Sequence, residues 1–165
     1  MRLMNYEDVE TIQTSRQVEI REGIEVAVRP LPVDWDDIVE RNLPSPRPKQ
    51  IGVERDGKGR VLYENGRPIP QYDVDNPEYR RAVARHSKRQ TLYMLLEGLE
   101  PGQVVFDAPR GDDLAVYLDA VLGELKAFGF SMGDLLVLVR AISELSGVTE
   151  REMEIARRDF SEPGS

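Results

Sequence analysis

The sequence predicts a mainly α fold: a C-terminal helical bundle of about four helices, with an N-terminal β-hairpin and an extended Pro/Gly-rich flap. Three observations lead there. Leu, Val, Ile and Ala recur at helical spacing through the second half of the chain, which lays an apolar stripe along each helix. Near the N-terminus, residues 18–21 and 24–28 alternate instead with period two. Between these regions, residues 43–75 are rich in Pro, Gly and charge and poor in apolar side chains. The sequence divides at about Val74, into a flexible N-terminal tail (1–16), a hairpin arm, short helix and flap (17–75), and a helical domain (76–165).

The elements follow in order. Glu22-Gly23 separates the two alternating runs and supplies the hairpin turn, and Pro30 and Pro32 end it because proline cannot donate to a ladder. Residues 34–40 read as a short helix, with Asp34, Asp36 and Asp37 at the positive end of its dipole and Trp35, Ile38 and Val39 on its inner face. Pro44, Pro46 and Pro48 favour an extended polyproline path. A second hairpin-like region is expected where residues 51–54 and 60–63 flank Asp56-Gly57-Lys58-Gly59, with another turn at residues 64–67. This region holds so little apolar material that it reads as an exposed flap.

Asp75-Asn76-Pro77 is a helix start, with a capping side chain ahead of a proline that fits the first helical position. That helix runs to about Glu97 and stops at Gly98. Asp112 or Asp113 opens the next, whose stripe is Leu114, Tyr117, Leu118, Val121, Leu122, Leu125 and Phe128, with Gly129 as its end. Ser131-Met132-Gly133-Asp134 resembles a capping box with Asp in the Glu place. The helix after it carries Leu135, Leu138, Val139, Ile142 and Leu145 on one stripe. Leu136 and Val137 give it a second apolar face, so it is expected to be the most buried helix. Gly147 closes it. Residues 149–152 form a further capping box, opening a last helix with Met153, Ala156 and Phe160.

Composition narrows the function. The chain has 165 residues, 40% of them hydrophobic and 32% charged, and a net charge of −8. An acidic balance disfavours nucleic acid, whose binding rests on neutralising phosphates with Lys and Arg. The chain has no cysteine, hence no thiolate metal site and no disulfide framework. The first eight residues lack the apolar run of a secretory signal, and no stretch approaches the roughly 18 apolar residues that cross a bilayer. A cytoplasmic protein is expected, with no membrane partner.

The candidate chemical groups each have a plainer explanation. The one histidine, His86, sits among Arg85, Lys88 and Arg89, whose charges lower its pKa, and nothing beside it in sequence orients it as a base. Asp107, Asp112 and Asp113 precede a helix, where acids meet the dipole; a divalent-metal hydrolase using them is the alternative. Asp56-Gly57-Lys58-Gly59-Arg60 lacks phosphate-loop spacing and reads as a turn. Arg110-Gly111-Asp112 matches an adhesion tripeptide by chance. No catalytic residue, cofactor or metal ligand is assigned. The basic run Arg80, Arg81, Arg85, Lys88 and Arg89, interleaved with Tyr79, Val83 and Tyr93, suits a solvated or protein-binding helix face. The residues expected to bind protein are Leu136, Val137 and Arg140 on one helix and Tyr79, Arg81 and Arg85 on another.

The order of parts resembles the small tail assembly chaperones of long-tailed bacteriophages and their prophage relatives. The likeness covers roughly residues 17–160 and is carried by layout. A β-hairpin leads to a Pro-rich segment, then to Asn76-Pro77-Glu78-Tyr79 opening a charged helix. Gly129-Phe130-Ser131 with Asp134-Leu135 opens an apolar helix, followed by Leu145-Ser146-Gly147-Val148-Thr149 and Ala156-Arg157-Arg158-Asp159-Phe160. The resemblance implies a protein with no catalytic site that binds the aggregation-prone tape measure protein. It would keep that client soluble in the host cytoplasm while tail tube subunits assemble around it. Contact with the tail tube protein and homo-oligomerisation are further expectations. The flap at 43–75 is where the chain departs from the family layout. The runner-up is a structural virion component, such as a tail-completion subunit, whose arm and flap order on assembly.

Overall fold

The computed structural model of the protein describes residues 15–147. About 44% of it is helical, and small antiparallel β pairs fill much of the N-terminal half, so the fold is mixed α and β instead of mainly α. The physical reason is that the hairpin belongs to the core. β1 (Arg16–Arg21) pairs antiparallel with β2 (Ile24–Val28), with Val18 opposite Val26. Gly23 turns the chain at φ +76°, a region open to glycine and strained for other residues. Val18, Val26 and Val28 are buried against the helices. β1 begins at Arg16, so the strand takes in the last residue expected in the tail. The far edge of β2 is tied to the chain beyond the longest helix: Arg29 N–H donates to Gly98 O (2.8 Å), and Glu100 N–H donates to Ala27 O (3.0 Å).

α1 (Trp35–Asn42) lays Trp35, Ile38 and Val39 on the core, as its pattern predicts. The Trp35 and Tyr93 rings stand 4.9 Å apart between centroids, and Asn42 Nδ2 donates to the Tyr93 hydroxyl at 3.1 Å. These contacts fix where the following segment leaves the body.

The flap is paired differently from expectation. β3 (Gln50–Val53) pairs with β6 (Pro70–Tyr72), and β4 (Tyr63–Glu64) pairs with β5 (Arg67–Pro68) around Asn65 and Gly66, both at positive φ. Residues 51–54 therefore do not form a hairpin with residues 60–63. What survives of that pairing is one bridge, Arg55 to Val61, and the bond from Leu62 N–H to Glu54 O at 2.9 Å. The Asp56 turn exists as predicted: its carboxylate accepts from the N–H groups of Lys58 (2.8 Å) and Arg60 (2.9 Å).

α2 (Pro77–Gly98) starts where Asn76 accepts from Glu78 and Tyr79 N–H groups. α3 (Leu114–Ala127) is capped by Asp113. α4 (Met132–Ser146) has the predicted capping box at Ser131 and Asp134 and ends at Gly147 with φ +70°. α4 has the most buried residues of the described helices, among them Leu138, Val139 and Ile142. Fully burying such a side chain stabilises by about 1.5–3 kcal/mol relative to leaving it in water. α3 buries Leu118, Val121 and Leu125, but Phe128, the last residue of its predicted stripe, is 83% exposed. It lies at the C-cap, where Gly129 (φ +87°) turns the chain away and Phe130 packs on the core in its place. The predicted helix after residue 149 lies outside the described residues, as does most of the predicted tail.

Candidate protein-binding surface

The six residues expected to bind protein fall on two separate surfaces. Leu136, Val137 and Arg140 lie on α4 opposite its buried stripe. Leu136 is half-buried, Val137 is 40% exposed and Arg140 is exposed, so the second apolar face predicted for α4 points outward. β1 runs alongside this helix and is stapled to it at both ends. Arg21 pairs with Asp134, and its guanidinium also reaches Gly129 O at 2.6 Å. At the other end, Arg16 and Arg140 share Glu144, at 3.0 and 2.9 Å.

Asp134 has two tasks there. It accepts from Ser131 N–H (2.6 Å) and Ser131 Oγ (2.7 Å) within the capping box, and from Arg21. The Arg21 bond and the Ser131 donors hold its carboxyl well below the usual carboxylate range, overcoming the opposing effect of burial. Glu144 is lowered by its bonds to Arg140 and Arg16.

Tyr79, Arg81 and Arg85 lie in the first half of α2. That helix meets α4 through Gly98, against which the Ile142 side chain packs so closely that a built Cβ would stand 2.5 Å from it. Nineteen residues separate Tyr79 from Gly98, about 28 Å along the axis at 1.5 Å per residue. The two surfaces are therefore not one site. Within the basic run, Arg80 pairs with Asp75, Arg89 with Asp119 (2.5 Å), and Arg81 Nε donates to Pro77 O (3.3 Å). The run is thus a charged face partly neutralised by Asp75, just before the helix, and by Asp119 of α3.

What sequence reasoning undervalued is the extent of unburied chain. From residue 44 to residue 90, through β3–β6 and the first half of α2, every residue is exposed or half-buried. Ile51, Tyr63, Tyr72, Val74 and Val83 are all exposed large apolar side chains on this stretch. The available signal was the low apolar content of the flap. The extension of the same condition into α2 was concealed, because Tyr79, Val83 and Tyr93 look like one stripe, and only Tyr93 reaches the core. A smaller apolar patch lies by the hairpin turn, where Ile24 and Phe128 are exposed beside Phe130.

His86 Nε2 is 3.4 Å from Ser45 Oγ, and burial, helped by the Arg89 charge, lowers its pKa. Asp113 caps α3, while Asp107 and Asp112 are exposed. Among the described residues, no group of three or more His, Asp or Glu is placed to hold a metal ion. Arg110 is drawn to Glu97 at 3.7 Å, which Arg29 approaches at 3.8 Å, above a cleft of about 200 Å³. Two cations around one carboxylate make this a clasp between β2, α2 and the loop before α3. No helix among the described residues is long and apolar enough to cross a membrane. Comparison with known proteins finds no matching family model, no matching curated protein and no matching solved structure.

Proposed function

We propose that the chain is a non-catalytic assembly chaperone that acts in the host cytoplasm. On the resemblance described above, its client is a phage tape measure protein and the tail tube protein is a second partner. The observation that carries the reading is the stretch 44–90, which has defined secondary structure yet adds no side chain to the buried core and exposes aromatic and aliphatic side chains. Apolar surface of this kind covers client segments, and the net charge of −8 keeps the complex in solution. The outward face of α4, with Leu136, Val137 and Arg140, offers a second contact. Neither surface requires a cofactor, a metal or a catalytic group.

Co-expression with the tape measure protein tests this. Client that is soluble and co-purifies with this chain, and is insoluble without it, supports the chaperone. Client that stays insoluble and unbound removes it. The same unburied stretch favours one other reading, a tail-completion subunit whose arm is covered by its neighbours. Stoichiometric presence in purified virions would support that subunit, and absence from them the chaperone.

A further inference from the structure

We infer that the protein associates with itself head to tail, the arm formed by residues 44–90 of one copy resting on the acidic body of the next. The observation behind it is a segregation of charge. Residues 44–90 carry eleven Lys and Arg against six Asp and Glu, an excess of five positive charges. The remaining described residues carry seven against sixteen, an excess of nine negative charges. The arm is thus basic, carries scattered exposed apolar side chains and lies outside the core of a molecule whose body is acidic, and the surface it complements is one the chain itself supplies.

Particular residues carry the complementarity. On the arm, Arg47, Lys49, Arg67 and Arg81 are exposed and form no salt bridge among the described residues. On the body, Asp34, Asp36, Asp37 and Glu40 are exposed at and along α1, likewise without a salt bridge among the described residues, and Val33 beside them is fully exposed. An arm that presents cations with Ile51, Tyr63 and Tyr72 matches a surface that presents carboxylates with Val33. Because the two surfaces differ, the contact is heterologous: it closes into a ring or extends as a filament according to the angle between copies. It also weakens with salt, since screening shortens the reach of exposed charges from about 30 Å at 0.01 M to about 3 Å at 1 M.

The test uses the full chain alone, so it is independent of any client. Sedimentation velocity at low salt is expected to show species larger than a monomer that dissociate as salt is raised. Reversing the arm (Arg47→Glu, Arg67→Glu, Arg81→Glu) or the body (Asp36→Lys, Asp37→Lys, Glu40→Lys) should leave each variant monomeric. Mixed together, the two should assemble again, since the native basic arm of one meets the native acidic body of the other and the reversed arm meets the reversed body. Circular dichroism checks that both fold, and the milder set Asp36→Asn, Asp37→Asn and Glu40→Gln replaces the body reversal if α1 is disturbed; mixed with the reversed arm, it should stop at a one-to-one pair, held by its native arm on the other's native body. A wild-type chain that is monomeric at every salt concentration would overturn the inference. So would assemblies unchanged by either reversal, or an arm that binds a single-stranded oligonucleotide while the chain stays monomeric.

Discussion

Gly98 shows how one atom sets the spacing of two helices. A Cβ at this position would stand 2.5–2.6 Å from three carbons of the Ile142 side chain, and Ile142 is fully buried. The expected effect of Gly98→Ala is a loss of about 1–3 kcal/mol from forced repacking, measurable by urea denaturation. An unchanged midpoint would show that α2 and α4 can slide apart at no cost. Ser143 has the opposite character. Its hydroxyl is buried without a hydrogen-bond partner among the described residues, and an unsatisfied polar group costs about 1–3 kcal/mol. Ser143→Ala is therefore expected to raise the melting temperature, and a fall would reveal a bond that the hydroxyl makes. Neither position stood out in the sequence. Gly98 read there as a helix stop, and Ser143 as an ordinary helix residue, because both properties depend on what a distant element places opposite them.

At the scale of elements, α4 depends on its first turn. Asp134 completes the capping box and receives Arg21 from β1, so it couples the hairpin to the helix. Asp134→Asn should cost about 2 kcal/mol, combining a weakened cap with a lost charge-assisted bond. The sign of the pH effect follows from the depressed carboxyl. Its contribution is fully present above the unfolded value of about 3.9 and is lost as pH falls through the lower folded value. Wild-type stability should therefore drop below about pH 4, and more steeply than that of Asp134→Asn. Parallel acid titrations of the two proteins would contradict this role. The flap makes the converse prediction. Gly52 lies opposite Gln71, so the ends left by deleting residues 52–70 are already neighbours. That deletion should preserve helical circular dichroism, and a collapse of the signal would place the flap in the core.

These elements also show what the sequence made legible. The starts of α2, α3 and α4 were readable because a cap is a local pattern of side chain and spacing, although the structure had to choose Asn76 over Asp75 and Asp113 over Asp112. The hairpin at residues 16–28 was readable because alternation and turn lie together. The flap pairing was not, because residues 51–53 had two possible partners and the choice of residues 70–72 is settled by hydrogen bonds with no hydrophobic pattern to announce them. The weight of the hairpin in the core was also underestimated, since Val18 and Val28 match helices more than seventy residues away. For the candidate surface, residue type marked Leu136, Val137 and Arg140 but not their outward direction, which the burial of Leu135, Leu138 and Val139 decides.

The whole molecule is an acidic, well-packed body carrying a basic and unburied arm. That asymmetry unites the proposed client binding with the inferred self-association: both place residues 44–90 against another chain. Hydrogen–deuterium exchange on the protein alone and in complex with soluble tape measure protein tests this most directly. The account predicts slowed exchange over residues 44–90 and along the outer face of α4, with little change in the buried turns of α2 and α3. Protection that leaves 44–90 untouched, or none at all in a complex shown to be stoichiometric, would contradict the claim that this arm is the binding surface.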